Sequence, residues 1–398
     1  MSNHEKLEHL HRSQFMRGHF KRGLALLATR DPGIYLIGDR TASIRLNSRV
    51  EFTAAQAMGQ AMSQAMSQAM ATGVSGSSNQ EQEMKALERI YNSGLTSQSQ
   101  PLPALPRRYG VLPTARDVAM QLIIKRSAPE LAECEWAQRD DDGGATTLAL
   151  RSSARILISG RSRIATLLLH LLPQSAVGIV ECADRYEGPE ISPMDIGMGD
   201  IGLADIGSNF YQRQSARNTT LALFPSIANQ GGRKIDDPVD GTLESERPVT
   251  HQQPTLIIHC GDIGIEDQID WMVASQPHLI ITTPIGREVA ISPIVLPGRS
   301  PCLRCMELYE LDRYGFSRFE RIPLTQIDES SVVASHFIAA LVASMALNFI
   351  DSKILTAQGV GEITYINRLD LRAPQVVAIE RHPLCGCSTG FLQTLSAP

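Results

Sequence analysis

The chain has 398 residues, 43% of them hydrophobic and 20% charged, with a formal net charge of −5. That length exceeds one ordinary hydrophobic core and predicts two domains, or one with large elaborations. A mildly acidic chain lacks the basic footprint that nucleic acid binding demands, which removes nucleic acid from the expected partners. No uninterrupted apolar run of membrane-spanning length occurs. The start "MSNHEKLEHLHRSQFMRGHFKRG" has neither the apolar core nor the small-residue cleavage site of a secretory signal, so a cytoplasmic location away from membranes is expected.

Residues 1–22 mix His4, His9, His11 and His19 with basic side chains and read as a frayed or surface-helical terminus. The stretch "ALLATRDPGIYLIGDRTASIRL" alternates strand and turn, with Asp31-Pro32-Gly33 and Gly38-Asp39 as turn chemistry, and predicts a small β-meander. In "QAMGQAMSQAMSQAM", Met58, Met62, Met66 and Met70 recur every fourth residue and form one drifting helical stripe. It reads as a repeat that lengthens a helix, with an adaptable peptide-binding surface as the other reading. "QEQEMKALERIYNSGL" is a helix with Met84, Leu87, Ile90 and Tyr91 on one face and Gly94 at its C-cap. Residues 23–97 are therefore expected to form a winged-helix-like α+β module with a Met-rich insertion. The Pro-rich tract over 98–108 reads as a linker, and 109–398 as a second, α/β domain.

From "ARILISGRSRIATLLLHLL" the pattern changes. Ile156 to Ile158 predict a strand, Ile164 to Leu172 a helix, and "AVGIVECAD" a second strand, a β-α-β unit that opens a Rossmann-like doubly wound sheet. Further strands are expected in "TLIIHC", "HLIITTP", "EITYINRLD" and "PQVVAIERH", with one long helix in "SVVASHFIAALVASMALNFI". Glu266 and Asp267 read as solvated loop charges.

The turn after the first strand is where a dinucleotide or ATP site would carry G-x-G-x-x-G/A, and here Gly160, Ser162 and Ala165 hold those places. The first glycine suits the tight turn and the alanine suits close helix packing, but a serine side chain stands where phosphates must approach the backbone. Arg161 and Arg163 can contact phosphates or simply fill the loop, and Asp184 ends the second strand where a ribose hydroxyl would be held. Lone Cys182 and Cys260 lie within strands, where burial blunts a thiol, and G-x-S-x-G is absent. A hydride-transferring dehydrogenase is disfavoured by the same Ser162.

Four of the seven cysteines fall in two tight pairs, Cys302-x-x-Cys305 and Cys385-x-Cys387, roughly 80 residues apart. In a reducing compartment such pairs are ligands before they are disulfides. Four thiolates suit a closed, structural zinc tetrahedron, with Leu303-Arg304 and Gly386 as the turns inside each pair and Arg299, Arg304 and Arg381 near enough to offset charge. His382 is a lesser candidate ligand. A redox pair and an iron–sulfur cluster compete, and the second cysteine pair argues against the redox reading.

The segments "VGIVECADRYEGPEISPMDIGMGDIGLADIG", "ISPIVLPGRSPCLRCMELYELDRYGF" and "HPLCGC" resemble the ThiF-like, ubiquitin-activating-type superfamily, and most closely the ThiF-like leader-peptide-binding partners of azole-forming cyclodehydratases. Pro297-Gly298-Arg299, Cys302, Cys305, Asp312, His382, Pro383, Cys385 and Cys387 match that pattern over residues 150 to 390. The resemblance implies a zinc-bearing Rossmann-like domain, homodimerisation, and an N-terminal module that binds the leader of a ribosomally made precursor peptide as an added strand. It also implies a YcaO-type enzyme as partner. The activating enzymes of the superfamily instead adenylate a C-terminal carboxylate with ATP and magnesium. For that alternative Gly160, Asp184 and the arginines 161, 163, 213 and 217 would have to serve, and the departures at Ser162, in "SNFYQRQSARN", which lacks lysine, and in "LIIHCGD", which offers only Asp262 near the expected carboxylate, weigh against it.

Overall fold

A computed structural model describes chiefly residues 126–136, 144–183, 190–209, 253–319, 329–352 and 359–388, with short segments at 18–20, 26–28, 35–38, 43–46 and 96–98 and helical positions at 85 and 89. The chain divides into two compact units, Met1–Ala149 and Leu150–Pro398.

In the first unit β1 (Gly18–Phe20) pairs antiparallel with β5 (Thr96–Gln98). These two strands take up residues expected at the frayed terminus and at the start of the linker. β2 (Leu26–Ala28), β3 (Tyr35–Gly38) and β4 (Ser43–Leu46) form a three-stranded antiparallel meander in the order expected from the two turn signals. Ile44 and Leu46 are buried while Arg45 between them is exposed, the period-two alternation of a one-faced sheet. Lys85 and Arg89 are helical, within the helix expected over 80–94, and Arg89 reaches back to the Arg45 carbonyl oxygen at 3.1 Å. The methionine repeat lies outside the described residues.

The second unit is built on one seven-stranded sheet. In chain order its elements are α1 (Ala145–Ser153), whose last turn opens the unit, β6 (Arg155–Ser159), α2 (Arg163–Gln174), β7 (Ile179–Cys182), β8 (Leu256–Cys260), α3 (Ile265–Val273), β9 (His278–Ile281), β10 (Glu288–Ile291), α4 (Leu303–Tyr314), α5 (Val332–Asp351), β11 (Glu362–Asn367) and β12 (Gln375–Ala378). The spatial order is β12-β11-β10-β9-β8-β6-β7. β7, β6, β8 and β9 run parallel, with Ile156 opposite both Val180 and Leu256, and β10, β11 and β12 continue antiparallel. The chain passes from β7 at one edge to β8 on the far side of β6. That reversal places a topological switch point between β6 and β8, at whose carboxyl ends open α/β sheets hold their ligands.

Alternation along the strands separates two faces. Leu279 and Ile281 of β9 and Val289 and Ile291 of β10 join the large core formed with α2 and α5. Ile280 and Ala290, between them, face the other way, toward the paired cysteines and α4. α5 is long and apolar enough to cross a membrane by length and composition, yet Ile338, Ala339, Val342, Ala346 and Phe349 are buried in this core. Its end is tied to α1 by a buried ion pair, Arg151 to Asp351 at 2.6 Å.

Three elements differ from the sequence-based expectation. Glu266 and Asp267 stand in the first turn of α3, where carboxylates meet the positive end of the helix dipole, and are not loop charges. Leu303-Arg304 is the first turn of α4 rather than an isolated turn, with Cys302 as its N-cap residue. β10 has no counterpart among the expected strands, because the three apolar residues Val289 to Ile291 inside "REVAISPIVLPG" carry no periodicity of their own.

Candidate functional site

The loop that leaves β6 can be built residue by residue. Gly160 has a φ of +72°, and a Cβ there would stand 2.2 Å from the carbonyl oxygen of Cys260 on the neighbouring strand. The first motif position is therefore glycine for steric reasons alone. Ser162 is extended, φ −161° and ψ 168°, and caps α2 by accepting the Ala165 amide at 3.1 Å. The serine that departs from the phosphate-loop pattern thus satisfies a helix-end donor that a glycine would leave open. Ala165 is fully buried against the sheet.

The two arginines are engaged within the chain. Arg161 Nη2 pairs with Asp195 Oδ2 at 2.6 Å and donates to the Glu190 carbonyl at 3.1 Å, and Asp195 also accepts the Ser192 amide. Arg163 Nε donates to the Met194 carbonyl at 2.7 Å and Nη1 to the Ser330 carbonyl at 2.9 Å. Glu329, which no motif pointed to, brings its Oε2 to 3.4 Å from the Arg163 backbone nitrogen at the start of α2. Its carboxyl is held above the ordinary carboxylate range, first by burial and against the pull of the Arg163 amide. Asp184, Arg213 and Arg217 lie outside the described residues.

These groups border a cavity of about 300 Å³ at the carboxyl ends of β6, β8 and β9, lined among others by Gly160, Ser162, Asp262, Thr283, Glu329 and Ser330. It sits at the switch point. Asp262 accepts from Thr283 Oγ1 at 2.8 Å, and its carbonyl accepts from His259 Nε2 at 2.9 Å. With Nε2 carrying the proton, His259 Nδ1 accepts the Ser159 hydroxyl at 2.9 Å, and this buried pair bolts β6 to β8. Cys260 is pushed up to about 12 by burial, which removes it as a nucleophile near neutrality, as its place in a strand predicted.

The second site gathers the cysteines. Sγ of Cys302 lies 3.8 Å from that of Cys305 and 3.4 Å from that of Cys385, and Cys305 is 3.6 Å from Cys387. All four sulfurs fall within 4.8 Å of one another and can hold a metal ion. A tetrahedron with metal–sulfur bonds of ~2.3 Å has edges of about 3.8 Å, close to these three separations, so the donor set suits one ion. Cys302, Cys305 and Cys385 are buried among Ile280, Val295 and Leu303. The thiol of Cys305 is pulled well below its ordinary range, first by the hydrogen bond from Cys302. The positive end of α4 acts in the same direction.

The tail and the knuckle interlock outside the sulfurs. The His382 amide donates to Cys305 Sγ at 3.4 Å, its Nδ1 accepts the Leu384 amide, and its Nε2 meets Asp312 Oδ2 at 2.8 Å. Both ring nitrogens are thus occupied, and His382 orients the knuckle instead of joining the ligand set. Arg381 donates to the Gly298 carbonyl at 2.7 Å, and Arg304 pairs with Glu307.

No family model matches the chain, and no curated protein matches its sequence. Solved structures do match at the level of the fold. Escherichia coli MccB bound to ATP aligns over 93% of this chain and 99% of its own at 13% identity and a TM-score of 0.57. MccB, a microcin C7 biosynthetic enzyme, in complex with N-formylated MccA aligns over the same shares at 12% identity and a TM-score of 0.57. PaaA aligns over 90% of this chain and 99% of its own at 12% identity and a TM-score of 0.56. The ThiF-like fold expected from the cysteine segments and the β-α-β opening is the fold these comparisons return.

Proposed function

We propose that this chain is a zinc-bearing, ThiF-fold carrier of a ribosomally made precursor peptide: its first unit, residues 23–97 in particular, holds the leader, and the chain presents the core to a YcaO-type cyclodehydratase that forms azolines or azoles. The observation that carries this reading is the state of the phosphate loop. Ser162 caps α2, Arg161 is paired with Asp195, and Arg163 is spent on two carbonyls, so the groups that would grip a triphosphate are engaged elsewhere. The alignment over nearly the whole chain with a protein solved in complex with a peptide supports the peptide as partner. Zinc in the four-cysteine cluster would be structural, since protein ligands fill the coordination sphere. Homodimerisation is proposed from the resemblance alone.

Titration of leader peptides from small open reading frames encoded beside this gene is the direct test. Saturable, one-to-one binding is expected, and no binding by zinc-loaded, folded protein overturns the reading.

A second reading is favoured by one observation, the cavity at the switch point of a fold that MccB shares and in which MccB has been solved with ATP. In that reading the chain is an ATP- and magnesium-dependent adenylyltransferase acting on a peptide carboxylate. Peptide-dependent exchange of labelled pyrophosphate into ATP would establish it.

A further inference from the structure

The start of α2 has its anion already. Aligned peptide dipoles place about half a positive charge at the first turn of a helix, the usual seat of a phosphate after a β-strand and tight turn. Here the Arg163 amide at that seat donates to Glu329 Oε2, and Glu329 is placed there by the residues that lead into α5. Around the carboxylate stand Arg161 and Arg163 from the loop and Asp195 behind Arg161, with Asp262 across the cavity. A phosphate arriving at the α2 terminus would meet two carboxylates and no uncommitted guanidinium from the loop. A second observation points to a ligand in the same cavity, whose character the two carboxylates set. Ser330, next to Glu329, is 1% exposed and lines the same cavity, and its Oγ has no hydrogen-bond partner among the described residues. A buried hydroxyl left so is costly, and beside the carboxylates of Glu329 and Asp262 the ligand group that satisfies it without charge repulsion is a donor.

We propose that Glu329 is the specificity-determining residue of this cavity: it occupies the α2 terminus in place of a phosphate and, with Ser330, reserves the site for a phosphate-free ligand that brings a hydrogen-bond donor, such as an ammonium or a peptide amide. The proposal rests on the non-nucleotide reading of the cavity given above, and it assigns the exclusion to one side chain.

The test is calorimetric titration of magnesium ATP, and separately of inorganic pyrophosphate, into the full-length zinc-loaded chain and its Glu329→Gln and Glu329→Ala variants, with melting temperature and zinc content as folding controls. The wild type is expected to bind neither probe at millimolar concentration, and both variants to gain at least about tenfold in affinity, the effect of removing one like charge from a helix-terminus anion seat. Equal affinities in all three proteins, or no binding by folded variants, overturns the role of Glu329. A readout free of substitutions is hydrogen exchange of the α2 amides in the wild type. Protection unchanged by pyrophosphate is expected, and protection that rises on its addition overturns the proposal even if a variant misfolds. A silent wild type with silent variants removes only this inference and leaves leader binding standing, whereas a wild type that binds ATP tightly removes the non-nucleotide reading as well.

Discussion

At Gly160 the chain leaves β6 with a left-handed φ, and the space a side chain would need is filled by the Cys260 carbonyl of β8. Gly160→Ala is therefore expected to destabilise the chain by about 3 kcal/mol or more, read as a lower denaturant midpoint, because both backbone strain and a backbone clash must be relieved. A cost under about 1 kcal/mol would mean that β6 and β8 separate readily. Ser162, two residues on, illustrates how one position serves alternative ends. In sequence it reads as a defect in a phosphate loop, whereas in the fold it is the N-cap of α2. The departure was legible in the string of residues, and its purpose was not, since a cap is defined by the φ and ψ of the residue and by which amides lie above it. Glu329 was not legible at all. It lies 166 residues from the amide it meets, and no local spacing announces such a contact.

α4 and the C-terminal tail form a unit whose pieces were readable separately. Cys302-x-x-Cys305 and Cys385-x-Cys387 pointed to a metal tetrahedron from spacing and compartment alone. That the first pair straddles a helix N-terminus, and that His382 braces Asp312 instead of serving as ligand, required the packing of the tail on α4. Cys385→Ser, or removal of the metal with a strong chelator, is expected to lower the melting temperature by several degrees and to release the tail from α4, detected as new protease cleavage after Asp370. The expected content before removal is one zinc per chain by elemental analysis. A protein that melts unchanged after complete metal loss would show that buried Ile280, Val295 and Leu303 suffice to hold the two pairs together.

At the scale of the second unit, the sheet buries a titratable group, one of whose nitrogens has no partner among the described residues. His278 of β9 is fully buried, donates through Nδ1 to the Gln276 carbonyl at 2.8 Å, and its Nε2, beside Trp271, has no hydrogen-bond partner among the described residues. Burial lowers its pKa from 6.5 to about 4. Between those values the unfolded chain takes up a proton that the folded chain refuses. The contribution of His278 is therefore intact above pH 6.5 and is lost as pH falls toward 4, by about 3 kcal/mol at most. Denaturant unfolding at a series of pH values should show this acid-side slope, and His278→Asn, whose amide can still reach the Gln276 carbonyl, should flatten it. An identical slope in the variant would assign the acid sensitivity to other groups.

What the sequence by itself determined was much of what depends on neighbours in the chain. The apolar strand, the glycine turn and the apolar-faced helix of residues 155–174 identified a parallel α/β opening, and the two cysteine pairs with the His-Pro segment identified a four-cysteine cluster able to hold a metal ion and the ThiF-like resemblance. Hydrophobic period and tight spacing are local properties, and they survive translation into structure nearly unaltered. Only the tertiary structure decided what the loop after β6 is for. The ion pair of Arg161, the carbonyl partners of Arg163 and the carboxylate of Glu329 come from segments that meet at the switch point between β6 and β8. Charge neutralisation acts through space over a few ångströms, not along the chain, so an apparently available phosphate loop becomes an occupied one only when the chain has folded.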